Sequence, residues 1–191
     1  VEVSNLAVLI AKELNEKEEF CRNIEIAGIL HDIGKLKLMK YLYSQDGLIV
    51  EQMKYVRQHT AQSYEMMRDA GYDEILANAV FHHHENFDGS GYPDNLRGED
   101  IPYMARILRV CDVFIALTSK RVYRNAFDPK SALEIMIDEV GDYDMHVFLA
   151  FQRVVHRDVF QEGIASLKEI RDERQLEPLK LFVKEMQHTG N

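Results

Sequence analysis

Five of the chain's eight histidines, His31, His59, His82, His83 and His84, fall in one stretch of sequence, and Asp32 directly follows the first. Neutral imidazoles and carboxylates are the donors a divalent transition metal takes. A site built from them acidifies water and stabilises phosphate charge, so the pattern predicts metal-assisted hydrolysis. Asp32 leaves a run containing Ile24, Ile26, Ala27, Ile29 and Leu30, where an unpaired carboxylate carries a large desolvation cost. Asp112 is the lone acid in the mostly apolar run 104–117 and raises the same demand, for either an arginine or a metal.

Helices must position these groups, because apolar residues recur at helical spacing and alternating β-branched runs are scarce. The periodicity predicts an all-α fold with helices over 3–15, 20–32, 50–70, 73–84, 102–119, 129–139, 144–156, 161–174 and 178–187. His59 then lies on an amphipathic helix with Met53, Val56 and Met66, and His82, His83 and His84 end another. Adjacent helical residues point about 100° apart, so neighbouring histidines suit two metals better than one. Gly34 and Gly71 read as C-caps, and Asp128-Pro129 as an N-cap with proline at the first helical position. Residues 86–101, with three glycines and Pro93, read as an irregular loop beside the histidines that leaves Tyr92 to be displayed outward.

The ordered set His31-Asp32-Ile33-Gly34-Lys35, His59, His83-His84-Glu85, Asp88-Gly89-Ser90-Gly91-Tyr92-Pro93 and Asp112 resembles the HD-GYP family of metal-dependent cyclic dinucleotide phosphodiesterases, within the HD hydrolase superfamily. The resemblance spans residues 3–155. It implies an HD-domain helical bundle that hydrolyses cyclic di-GMP to pGpG, and on to GMP in some members. The implied ligands of two divalent ions, iron first and manganese as substitute, are His31, Asp32, His59, His83, His84 and Asp112, with Asp32 bridging. Of the three consecutive histidines it selects His83 and His84, leaving His82 structural.

Lys35 follows the His-Asp pair closely enough to meet a phosphate oxygen or leaving group, although it also suits a helix C-terminus; the resemblance favours the phosphate role. Arg121 and Arg124 match the family's phosphate-contacting cations, and guanidinium forks fit phosphate geometry. Asp88, Gly89, Gly91, Tyr92 and Pro93 form the loop that in the family also contacts diguanylate cyclase domains. The family's further first-helix histidine, and the glutamate of three-metal members, would fall before Val1, so a third metal has no support. Ile115 stands where an aspartate is common, and Lys120 and Val122 replace an aspartate and a proline, which bears on guanine recognition and leaves cyclic GMP-AMP as a rival substrate. A module without turnover, sensing the dinucleotide or docking a cyclase, is a further rival that the intact ligand set disfavours.

A formal charge of −9 disfavours broad binding to a nucleic-acid polymer. No apolar run reaches membrane-spanning length and nothing at the start reads as a secretory signal, so a cytoplasmic protein is expected. Cys21 and Cys111 lack metal or disulfide spacing and read as buried apolar residues. The chain starts at Val1 inside a helical pattern, so an upstream regulatory domain is expected. The expected organisation is an HD-GYP domain over 1–156 and a helical extension over 157–191 packed on it. An apolar stripe in the extension leaves a homodimer open.

Overall fold

Every regular element among the described residues is helical. The computed structural model describes residues 1–37, 56–120 and 125–157. Its α-helices are α1 (Glu2–Glu13), α2 (Glu18–Leu30), α3 (His59–Asp69), α4 (Glu74–Phe81), α5 (Tyr103–Thr118), α6 (Pro129–Asp138) and α7 (Met145–Val155). The expected start of the 50–70 helix and the two helices beyond residue 157 lie outside the described residues. Residues Val1–Phe151 make one compact unit that carries every site residue discussed below, and residues from Gln152 onward belong to a second.

Helix α1 buries Val3, Leu6, Ala7, Ile10 and Ala11, one stripe at three- and four-residue spacing, and packs it against α2 and α5. Helix α5 is the hub, because it touches α1, α4 and α6 and so must be apolar around most of its circumference. Ile107, Leu108, Val110, Cys111 and Phe114 are fully buried along it. Phe114 meets Phe151 edge-on at 5.0 Å, and burying such a ring stabilises the fold by about 2–3 kcal/mol. Both cysteines are buried and free.

The ends follow local chemistry. Asp128 accepts hydrogen bonds from the backbone N–H groups of Lys130 and Ser131 ahead of Pro129, and Asp73 caps α4 by accepting from Leu76 N–H at 2.9 Å. Gly71 adopts φ +83° just past α3, as a helix-ending glycine does. Gly34 does not. A Cβ on Gly34 would sit 2.3 Å from the His59 carbonyl oxygen and 2.5 Å from the Ser63 backbone nitrogen, so the glycine permits close packing of two backbones. The 73–84 helix also ends earlier than expected, at Phe81. His82 is its C-cap, and His83 and His84 lie in the turn that follows. Their side chains therefore diverge by turn geometry instead of the helical 100°.

Candidate metal centre

Four elements deliver the cluster. His31 caps the C-terminus of α2 and Asp32 opens the turn beyond it; His59 begins α3; His83 and His84 follow α4; Asp112 projects from the middle of α5. Ser63, one turn into α3, joins two of these elements. Its hydroxyl donates to the His31 carbonyl at 3.0 Å and accepts from Gly34 N–H at 2.9 Å. The His31-to-Gly34 turn is thereby locked onto α3.

Three histidines share one device. Nδ1 of His31, His59 and His83 lies 2.8, 2.5 and 2.5 Å from the carbonyl oxygens of Gly28, Val56 and Val80, each three residues earlier. A carbonyl can only accept, so each Nδ1 carries a proton and each ring turns its Nε2 inward. His59 Nε2 stands 3.4 Å from His83 Nε2 and 3.2 Å from Asp32 Oδ1. Asp32 Oδ1 is itself buried without a hydrogen-bond partner. Two ring nitrogens and a carboxylate oxygen thus converge, the donor types that a cation lying among them would take.

One donor atom each from Asp32, His59, His83 and His84 lies within 4.8 Å of the others, so these residues fit a divalent ion. The second oxygen of Asp32 faces His31 Nε2 at 3.4 Å, and His31 Nε2 is 3.7 Å from Asp112 Oδ1. Asp112 Oδ2 faces His84 Nδ1 at 3.9 Å. Asp112 thus faces His31 and His84, and Asp32 is the residue common to both sides of the cluster.

The electrostatics differ across it. Burial presses His83 well below the ordinary histidine value, with the neighbouring His84 and His31 adding to the effect. Burial also takes His84 down to about 3, against the pull of Asp112, so both rings are neutral donors at physiological pH. For His31, burial pushes down, but contacts with Asp112 and Asp32 outweigh it and raise the ring to about 9. Burial opposes ionisation of both carboxylates as well, yet His31 beside them holds each far below the usual carboxylate range. A proton on His31 thus occupies the charge position that a cation would take.

Lys35 Nζ lies 2.5 Å from Asp32 Oδ2 at the edge of the cluster. Arg121 and Arg124 lie outside the described residues. His82 is buried but set toward Glu85 and Asp94, with Nδ1 3.6 Å from Glu85 Oε1 and Nε2 3.9 Å from Asp94 Oδ2.

The glycine-rich loop folds back over the site. A Cβ on Gly91 would lie 2.2 Å from Asn86 N and 2.5 Å from the His84 carbonyl, so glycine alone lets this backbone lie on 84–86. Tyr92 N–H then donates to the His84 carbonyl at 3.2 Å, and buried Glu85 accepts from Asp94 N–H at 2.7 Å. Tyr92 is consequently not displayed outward. Its ring stacks on His84 with centroids 4.8 Å apart and planes 24° from parallel. Asp88 is exposed and caps the turn by accepting from Ser90 N–H, and Gly89 takes φ +88°. The peptide bond between Tyr92 and Pro93 is cis.

A family model described as the HD domain matches residues 1–147. The chain belongs to the HD domain family. Relatives of this HD domain carry activity in their names. A cyclic di-GMP phosphodiesterase of Pseudomonas aeruginosa is 33% identical over 81% of this chain and 38% of its own length. A 3'3'-cGAMP-specific phosphodiesterase of Vibrio cholerae is 33% identical over 76% of this chain and 35% of its own. The chain therefore spans well under half the length of these relatives. The fold matches the solved structure of an HDG"Y"P protein from Bdellovibrio bacteriovorus with a TM-score of 0.65, at 20% identity over 82% of this chain and 51% of that one. The HD-GYP resemblance of the motifs and the helical-bundle expectation are both borne out.

Sequence reading missed Ser63 and the Arg109–Asn86–Asp142 chain that anchors the loop. Arg109 Nε donates to Asn86 Oδ1 at 2.8 Å, and Asn86 Nδ2 donates to Asp142 at 3.1 Å. Ser63, one turn after a predicted ligand, offered a weak signal. The pairing of residues 86 and 142 offered none.

Proposed function

We propose that this HD domain is a metal-dependent phosphodiesterase that hydrolyses cyclic di-GMP to pGpG and onward to GMP. The observation that carries the reading is the convergence of His59 Nε2, His83 Nε2 and Asp32 Oδ1, with the other oxygen of Asp32 facing His31. Asp32, His59, His83 and His84 would hold one ion, and His31 and Asp112, with Asp32 shared, would hold the other. Iron is the first choice for this nitrogen and oxygen donor set, with manganese as its substitute. The chemistry that bound cations supply is acidified water as nucleophile and stabilisation of charge developing on the phosphate.

The protein's own groups supply position. The carbonyl-tethered imidazoles hold their orientation without reorganising, which keeps the reacting geometry fixed. Lys35 moves from Asp32 to an oxygen of the scissile phosphate or the leaving group, and Arg121 and Arg124 contact substrate phosphate. No side chain acts as a nucleophile. The 86–101 loop carries any contact with a diguanylate cyclase domain.

Cyclic GMP-AMP is the second reading. It draws on Ile115, which places an apolar side chain on α5 one turn beyond Asp112 where a carboxylate is common, and on the relative named for that substrate. The deciding experiment is anaerobic turnover of both dinucleotides by protein loaded with Fe(II) or Mn(II), beside Asp32→Ala, with products separated by chromatography. Turnover of cyclic di-GMP that disappears in the variant supports the first reading. Bound metal and bound dinucleotide without turnover would reduce the domain to a receptor.

A further inference from the structure

An acidic chain that cleaves a doubly charged cyclic dinucleotide needs cations at its site beyond those that meet the scissile phosphate. Arg109, close to the cluster, is committed to Asn86 and Asp142. Arg57 is different. It is exposed, two residues ahead of His59, and its guanidinium carbon lies 4.9 Å from the centroid of the Tyr92 ring. Among the described residues no carboxylate pairs with it.

His84, Tyr92 and Arg57 therefore form a column of three planar groups that starts at a metal-cluster histidine and ends at a cation facing solvent. We infer that Arg57 is a substrate-contact residue, gripping acceptor atoms on the half of the cyclic dinucleotide that is not being cleaved, with Tyr92 as the platform that holds it in place. The inference rests on the phosphodiesterase reading above and adds a residue to it.

The physical case has three parts. A guanidinium held over an aromatic ring has already lost much of the rotamer freedom that binding would otherwise cost. Its face is used against Tyr92, and among the described residues nothing bonds to its N–H edge, which matches a pair of acceptors. The second phosphate offers such a pair, as does the O6 and N7 edge of guanine. Tyr92 is a sound platform because it is half-buried and its ring is stacked on His84. Its backbone is fixed by the bond to the His84 carbonyl and by the close seating of Gly91.

The test compares Mn(II)-loaded wild type, Arg57→Ala, Arg57→Lys, Tyr92→Leu and Tyr92→Phe on cyclic di-GMP and on bis(p-nitrophenyl) phosphate, which has no second half. Arg57→Ala is expected to lower kcat/KM for cyclic di-GMP relative to the small diester about tenfold, mainly through KM, the size of one charge-assisted contact. In stopped flow, a fluorescent mant derivative of cyclic di-GMP should leave the variant about tenfold faster. Tyr92→Leu should shift both readouts the same way, Tyr92→Phe should recover most of the loss, and Arg57→Lys should fall between. Cyclic di-AMP separates the sources: an equal loss assigns the contact to phosphate, and a loss confined to cyclic di-GMP assigns it to guanine. Equal effects on the two diesters, or no change in mant-ligand release, would overturn the inference. Wild type that cleaves the small diester and leaves cyclic di-GMP intact would instead overturn the substrate reading, with mant-ligand binding then judging Arg57 by itself.

Discussion

The two sides of the histidine cluster use the same residue types and hold different charge. On one side, His83 and His84 are held neutral by burial, and His59 and His83 turn lone pairs toward Asp32 Oδ1. On the other, His31 sits between Asp32 and Asp112 and keeps its proton up to about 9. The difference lies in the count of nearby carboxylates, since both sides are buried. One side is ready for a cation, whereas the other must first release a proton.

The largest effect should come from removing the residue the sides share. Asp32→Ala is expected to lower phosphodiester turnover at least about 1,000-fold and to reduce bound metal to one ion or none, read by elemental analysis beside the kinetics. Two retained ions would break the picture of one bridging carboxylate.

Next comes the seam between the sides. In Gly34→Ala the new methyl would meet backbone of both His59 and Ser63, which neither can yield cheaply. A loss of about 3 kcal/mol or more is expected in denaturant melts, with metal affinity falling in parallel. An unchanged midpoint would show that the turn carrying His31 and Asp32 is not locked to α3.

The charge contrast itself can be titrated. The folded value of His31 lies above its unfolded value near 6.5, so its stabilisation of the metal-free protein is fully present below that pH. It is lost as pH rises through about 9, by up to about 3 kcal/mol after the opposing carboxylates are treated as the same interaction. Conversely, metal uptake on the His31 side should strengthen roughly tenfold per pH unit between 7 and 9 as that proton leaves. Calorimetry in buffers of different ionisation enthalpy should find about one proton released per metal pair at pH 7. Release of none would mean that His31 is already neutral.

The smallest effect belongs to Ser63→Ala, which removes one donated and one accepted hydrogen bond from the same turn. A cost of about 1–3 kcal/mol is expected, visible as a fall in melting temperature of several degrees, with weaker loss of turnover than Asp32→Ala.

Much of this was legible from residue order. The apolar stripes of α1 and α5, the Asp128-Pro129 start of α6 and the buried cysteines follow from short-range pattern and propensity, which act within one or two helical turns. The ligand candidates were legible because a carboxylate or imidazole in an apolar run has few other uses. Chain order could not tell that Gly34 serves a backbone contact 29 residues away, that α4 stops before His83, or that Tyr92 turns back onto His84. Nor could it tell which histidine keeps a proton. Those outcomes depend on distances of a few ångströms between separate elements, where a 2.5 Å approach or a second carboxylate reverses the sign of an energy. Sequence by itself therefore determined the kind of chemistry and the helices that present it, while tertiary packing decided the orientation of each donor and the charge it holds.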